Sequence, residues 1–146
     1  MSLIEQLKKQ DLTISFAESM TGGALASYIT SMQGASNVFK GSLVCYDTEI
    51  KTRVLGISKA LINTYQVVSK EVCLAMAEAC QTLFKTHLAI SVTGYADGKE
   101  NDIYIGIKET ETTIYHLVRK EQTRQEMIQE VVHFVYDKIQ ERLLIV

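Results

Sequence analysis

Three short segments carry side chains that can do chemistry together. The first, Ala17-Glu18-Ser19-Met20-Thr21-Gly22-Gly23, sets two hydroxyls beside two glycines where an apolar strand turns into a helix. A helix N-terminus offers unpaired N–H groups and the positive end of the helix dipole, which favour a phosphate or an oxyanion. Glycine lets a ligand approach the backbone closely. The second segment, Tyr46-Asp47-Thr48-Glu49-Ile50-Lys51, holds a phenol and an amine just past another strand. A lysine partly desolvated at a cleft loses its proton more easily, and a neutral amine near a serine can activate it. The third, Ser91-Val92-Thr93-Gly94-Tyr95-Ala96-Asp97-Gly98, is a polar loop at the end of an apolar run. Each has a plainer account: an N-cap at a tight turn, a solvated loop leading into a helix, and a connecting turn.

Other chemistries find less support. The first segment lacks the glycine and lysine spacing of a phosphate-binding Walker loop and of a dinucleotide fingerprint. No G-x-S-x-G elbow is present, which argues against a generic serine esterase. His87, His116 and His133 are scattered, and Cys73 and Cys80 lie about two helical turns apart, so no metal and no cofactor are expected. Arg124 belongs to a basic run, Arg119 to Arg124, near the start of the last helix. A solvated face explains that run, but Arg124 reaches a phosphate if the helix begins beside the cleft.

The elements that must position these groups follow from periodicity. Leu12, Ile14 and Phe16 alternate in a strand ending near Glu18, and Leu25, Tyr28, Ile29 and Met32 recur at helical spacing. Val38 to Tyr46 reads as a largely buried strand, and the segment around Val54 to Ile62 as one or two short helices. Ser69 caps a helix with the stripe Val72, Ala75, Met76, Ala79, Leu83 and Phe84. Leu88 to Val92 reads as a central strand covered on both faces. Ile103 to Ile107 and Ile114 to Val118 form a hairpin. Thr123 and Glu126 make a capping box for a last helix that buries Ile128, Val131, Val132, Val135, Ile139 and Leu143. The expectation is one α/β domain over residues 1–146. It is a three-layer α/β/α sandwich around a mixed, mostly parallel sheet of about five strands.

Composition narrows the partners. The chain has 146 residues, 47% hydrophobic and 22% charged, enough for a real core. Its 15 basic and 17 acidic residues nearly balance, so no global field draws it to nucleic acid. No run approaches the ~18 apolar residues of a membrane helix. The first ten residues lack the apolar core of a signal peptide, with Leu3, Ile4 and Leu7 instead on one face of a short helix. With three cysteines in apolar runs, free thiols and a cytoplasmic setting are expected.

The three loops, taken in order, resemble the CinA C-terminal domain family, which includes nicotinamide-nucleotide amidases. The family's A-E-S-C-T-G-G is matched by Ala17 to Gly23. Its G-S-S-x-x-F is matched by Gly34-Ala35-Ser36-Asn37-Val38-Phe39, and its Y-S-N-E-x-K by Tyr46 to Lys51. Leu55-Gly56, Val68-Ser69 and Ala75-Met76-Ala77 match further segments, so the resemblance covers nearly the whole chain. Met20 stands where the family has cysteine and Thr48 where it has asparagine. In the third loop only Thr93-Gly94 and Ala96 persist, and Tyr95 to Asn101 replaces a longer glycine- and proline-bearing segment.

The resemblance implies hydrolysis of nicotinamide mononucleotide to nicotinate mononucleotide and ammonia, without metal or cofactor. It implies Ser19 as nucleophile, with Lys51 helped by Tyr46 as proton acceptor and donor. Thr21, Gly22, Gly23, Ser36, Thr93 and Gly94 are the substrate-binding residues expected with it, and Arg124 joins them from its place at the start of the last helix. A homodimer or higher homo-oligomer is expected, with a small-molecule nucleotide as ligand and neither nucleic acid nor membrane as partner. The replaced third loop supports an alternative, a catalytically inactive domain that binds nucleotide or a partner.

Overall fold

Apolar runs buried on both faces require a sheet with helices above and below it. The computed structural model, which describes residues 1–95 and 100–144, has that arrangement. Its strands are β1 (Ile14–Glu18), β2 (Phe39–Val44), β3 (Leu88–Gly94), β4 (Asp102–Lys108) and β5 (Thr112–Val118), in the order β2-β1-β3-β4-β5. The β1 strand pairs parallel with β2 and β3, while β3, β4 and β5 pair antiparallel. Four of the five strands therefore point one way and β4 opposes them. The helices are α1 (Leu3–Lys9), α2 (Ala24–Thr30), α3 (Thr48–Arg53), α4 (Lys59–Tyr65), α5 (Lys70–Phe84) and α6 (Arg124–Leu144).

Alternation along each strand divides the core in two. Ile14, Phe16, Ile90 and Ile105 face α1, α2 and α6, where Leu7, Leu25, Ile29, Val131, Val135 and Ile139 pack on them. On the other face the small Ala17 and Ala89 let α5 come close with Val72, Met76 and Cys80, and Leu55 and Ile57 close that layer. Among the described residues, no helix is long and apolar enough to cross a membrane.

Local signals hold. Ser69 accepts the Val72 N–H, and Thr123 and Glu126 exchange both capping bonds. The α6 stripe is rotated slightly from the expected one. Met127 and Tyr136 are buried, and the Tyr136 hydroxyl donates to the Leu25 carbonyl at 2.6 Å. Ile128 is only half-buried at the stripe's margin. One expectation fails: β2 is not a largely buried strand. It lies at the sheet edge with one neighbour and none of its residues fully buried, and Val44 is 43% exposed. Conversely, β3 runs on to Gly94, carrying Thr93 inside the sheet. Ala96, cited for the resemblance, and residues 97–99 lie outside the described residues.

Candidate active site

The parallel strands β1, β2 and β3 end on the same side of the sheet, where open α/β sheets bind ligands. Ser19 follows the last residue of β1. After β2, Asp47 caps α3 by accepting the Glu49 N–H at 3.2 Å, and the short helix turns Lys51 inward. Lys51 is only 2% exposed. Its Nζ donates to Ser19 Oγ at 3.0 Å and to the Cys45 carbonyl at 2.8 Å. Residues 32 positions apart thus meet as a hydroxyl and an amine.

Burial disfavours the charged form and lowers the Lys51 pKa below the ordinary lysine value, while Cys45 and Asp47 pull weakly the other way. Burial also pushes the Cys45 thiol up, so a neutral thiol sits beside the amine. A depressed lysine at hydrogen-bond distance from a hydroxyl is the geometry of an activated serine.

Around this pair lies a cavity of about 190 Å³. Six expected residues line it: Ser19, Lys51, Tyr46, Thr93, Gly94 and Arg124. Tyr46 is exposed, and its phenol oxygen accepts from the Arg124 guanidinium at 2.7 Å. Lys51 Nζ bonds Ser19 and Cys45, and the bond that Tyr46 makes is to Arg124. Thr93 is buried, with its hydroxyl donating to the Val67 carbonyl at 3.1 Å. Met20, Thr48, Val67, Val68 and Tyr95 also line the cavity. Sequence reading missed them as lining residues: Met20 and Thr48 stood out only as departures, and Val67 carries no signal of its own.

Gly94 ends β3 tight against Ile103 of β4. A Cβ there would sit 2.7 Å from Ile103 Cγ1 and 2.9 Å from Ile103 Cα, a backbone atom that cannot step aside. We expect Gly94→Ala to lower stability by about 1–3 kcal/mol, as overpacking does, readable in thermal unfolding.

Four expected residues are not brought to the cavity. Thr21, Gly22 and Gly23 form the turn, and the α2 N-terminus is already occupied. The buried Glu18 carboxylate accepts the Leu25 and Ala26 N–H groups at 2.9 and 3.1 Å and the Thr21 hydroxyl at 2.9 Å. The Gly22 N–H donates to the Ser19 carbonyl. With φ of +61° and +101°, Gly22 and Gly23 serve the turn's backbone geometry. The expectation is that this turn's N–H groups hold a phosphate or an oxyanion; the protein's own carboxylate already takes the Leu25 and Ala26 amides of the helix start. Ser36 is exposed in a single 3₁₀ turn, Ala35–Asn37, just before β2 begins. Since β1 and β2 run parallel, it lies at the opposite end of the sheet from Ser19.

A wider groove beside α5, about 560 Å³, presents mostly carbon from Leu55, Ile57, Leu61 and Leu83. Among the described residues, no group of three or more His, Cys, Asp or Glu is placed to hold a metal.

Comparison with known proteins agrees with this architecture. A CinA-like protein of Flavobacterium psychrophilum is 53% identical over 96 residues, covering 66% of this chain and 23% of the relative. A competence-damage inducible protein of Bacillus cereus is 34% identical over a 149-residue alignment, covering 94% and 36% respectively. The chain thus spans only 23% and 36% of the length of these curated relatives. A CinA superfamily protein from Klebsiella pneumoniae has the same fold, with a TM-score of 0.92 at 20% identity over 99% of this chain and 94% of that one. A competence/damage inducible protein from Agrobacterium tumefaciens gives 0.90 at 24% identity, over 95% and 90%. The model of the CinA C-terminal domain family matches residues 1–143, and the chain belongs to that family.

Proposed function

We propose that the chain is an amidohydrolase converting nicotinamide mononucleotide to nicotinate mononucleotide and ammonia. The observation that carries this reading is the buried Lys51 amine 3.0 Å from Ser19 Oγ. Ser19 Oγ attacks the carboxamide carbon as its proton passes to neutral Lys51 Nζ, forming the C–O bond. Collapse breaks the C–N bond, and Lys51 returns the proton to the departing nitrogen as ammonia. Water then attacks the ester, with Lys51 taking its proton and handing it back to Ser19 Oγ as the carboxylate leaves.

The cavity is small beside the about 300–1,000 Å³ of common ligand sites. It suits the planar ring and its amide, with the ribose phosphate over the mouth. Arg124 is the cation there, and a charge-assisted bond to phosphate suits its guanidinium. We expect Arg124→Ala to raise KM for the nucleotide about 10–100-fold, the worth of one charged hydrogen bond. The phosphate-free nucleoside should show no such change, which parallel kinetics on both substrates will read.

Ammonia release from nicotinamide mononucleotide by purified protein tests the whole reading. The second reading, a domain that binds nucleotide without turnover, rests on the replaced third loop. It prevails if the nucleotide binds and no ammonia appears.

A further inference from the structure

Glu18 is a fully buried carboxylate that the proposed chemistry leaves without a task. Burying a carboxylate is costly unless hydrogen bonds satisfy it. Here four donors do so: the Thr21 hydroxyl and Leu25 N–H on one oxygen, the Ala26 N–H and Ser42 hydroxyl on the other. The Ser42 bond, 2.7 Å long, reaches across to β2. A Ser or Asp N-cap would satisfy the helix amides locally. A glutamate reaching forward seven residues to Leu25 ties the turn, the helix and the neighbouring strand into one unit.

That unit carries both members of the reactive pair. Ser19 is bonded covalently to Glu18. Lys51 is referenced to it through Cys45, whose N–H donates to the Glu18 carbonyl at 2.8 Å and whose own carbonyl receives Lys51 Nζ. The Ser19–Lys51 separation is therefore measured from Glu18 along two short paths. We infer that Glu18 is a positioning residue, whose side chain clamps the turn after β1 to β2 and α2 so that Ser19 Oγ stays within reach of Lys51. The inference rests on Ser19 being the nucleophile of the proposed amidase. Without the clamp the turn keeps its backbone bonds to β2 and Cys45 but loses the side-chain ties to Ser42 and α2, and small displacements of a nucleophile are expensive: about 1 Å can cost about 100-fold.

Glu18→Gln keeps the side-chain shape but replaces one acceptor oxygen by a donor that, in either amide orientation, faces the Leu25 or the Ala26 N–H. Ser42→Ala and Thr21→Val each remove a single bond and secure the test if Glu18→Gln does not fold. Two readouts are taken well below the unfolding midpoint and scaled to folded protein. One is kcat and KM for nicotinamide mononucleotide. The other is the rate at which a fluorophosphonate labels Ser19, which reads the nucleophile whatever the substrate. For Glu18→Gln, kcat and labelling rate should both fall about 10–100-fold with KM within about threefold, and the single-bond variants should fall less. Unchanged labelling per folded molecule, with only a lowered Tm, overturns the inference and leaves Glu18 a structural cap. A parent protein that labels but releases no ammonia defeats the amidase reading alone, and the labelling series still decides the role of Glu18. A parent that neither labels nor releases ammonia defeats both.

Discussion

Ser19→Ala is expected to abolish ammonia release from nicotinamide mononucleotide while leaving nucleotide binding in place. The hydroxyl forms the only new bond to the substrate in the proposed first step, so its removal leaves nothing to attack the amide carbon. Loss of the nucleophile from a catalytic unit lowers turnover by roughly 10⁴–10⁶-fold. The fold should tolerate the change. Ser19 Oγ accepts a bond from Lys51, and Lys51 keeps the Cys45 carbonyl as a partner. Arg124 and Tyr46 at the mouth are untouched, so calorimetry should find near-parental affinity for the nucleotide. Ammonia release that survives in the variant would mean that Lys51 activates water directly, with no covalent intermediate.

Lys51→Met should be the next most damaging change. A positioned general base contributes about 10²–10⁴-fold, and methionine keeps much of the lysine stem without the amine. Combined with Ser19→Ala it should cost little more than Ser19→Ala alone, because members of one catalytic unit do not add. The parent's kcat/KM should rise with pH as Lys51 loses its proton, at a pH below the ordinary 10.5 because burial lowers the pKa.

The same burial leaves a mark on stability. In the unfolded chain the lysine stays protonated up to about its ordinary value, whereas in the folded chain it deprotonates sooner. Between those two pH values the unfolded state binds more protons, so parental stability climbs with pH. Below the folded pKa the penalty for a buried charge is fully present, and above 10.5 it is gone. The stability of Lys51→Met relative to the parent should therefore be greatest at low pH and decline across that window. Thermal unfolding of both proteins against pH measures this, and parallel curves would show that Lys51 does not titrate early.

Much of the fold was legible because it is written locally. A cap such as Ser69 or the Thr123–Glu126 pair acts within one helical turn, and both form as the sequence suggests. The apolar run of β3 and the alternation of β4 reflect which faces are covered, a property of neighbouring residues along one strand. The edge position of β2 was not legible, because its sequence is compatible with one strand neighbour or two.

The sequence alone determined the alternation of strands and helices, and it placed Ser19 and Lys51 each just beyond a strand. Taken alone Lys51 reads as an isolated, solvated lysine, and its pairing with Ser19 is what the family resemblance implies. Tertiary structure decided the rest. The order β2-β1-β3 brings the ends of β1 and β2 together, so α3 delivers the amine to the serine. The parallel pairing of β1 with β2 sends Ser36 to the far end. Glu18 takes amides at the helix terminus that the glycine-bearing turn advertised for a phosphate or an oxyanion. The physical reason is common to all three. Periodicity and caps are short-range, whereas strand order, register and the competition for one helix's amides depend on contacts between distant segments.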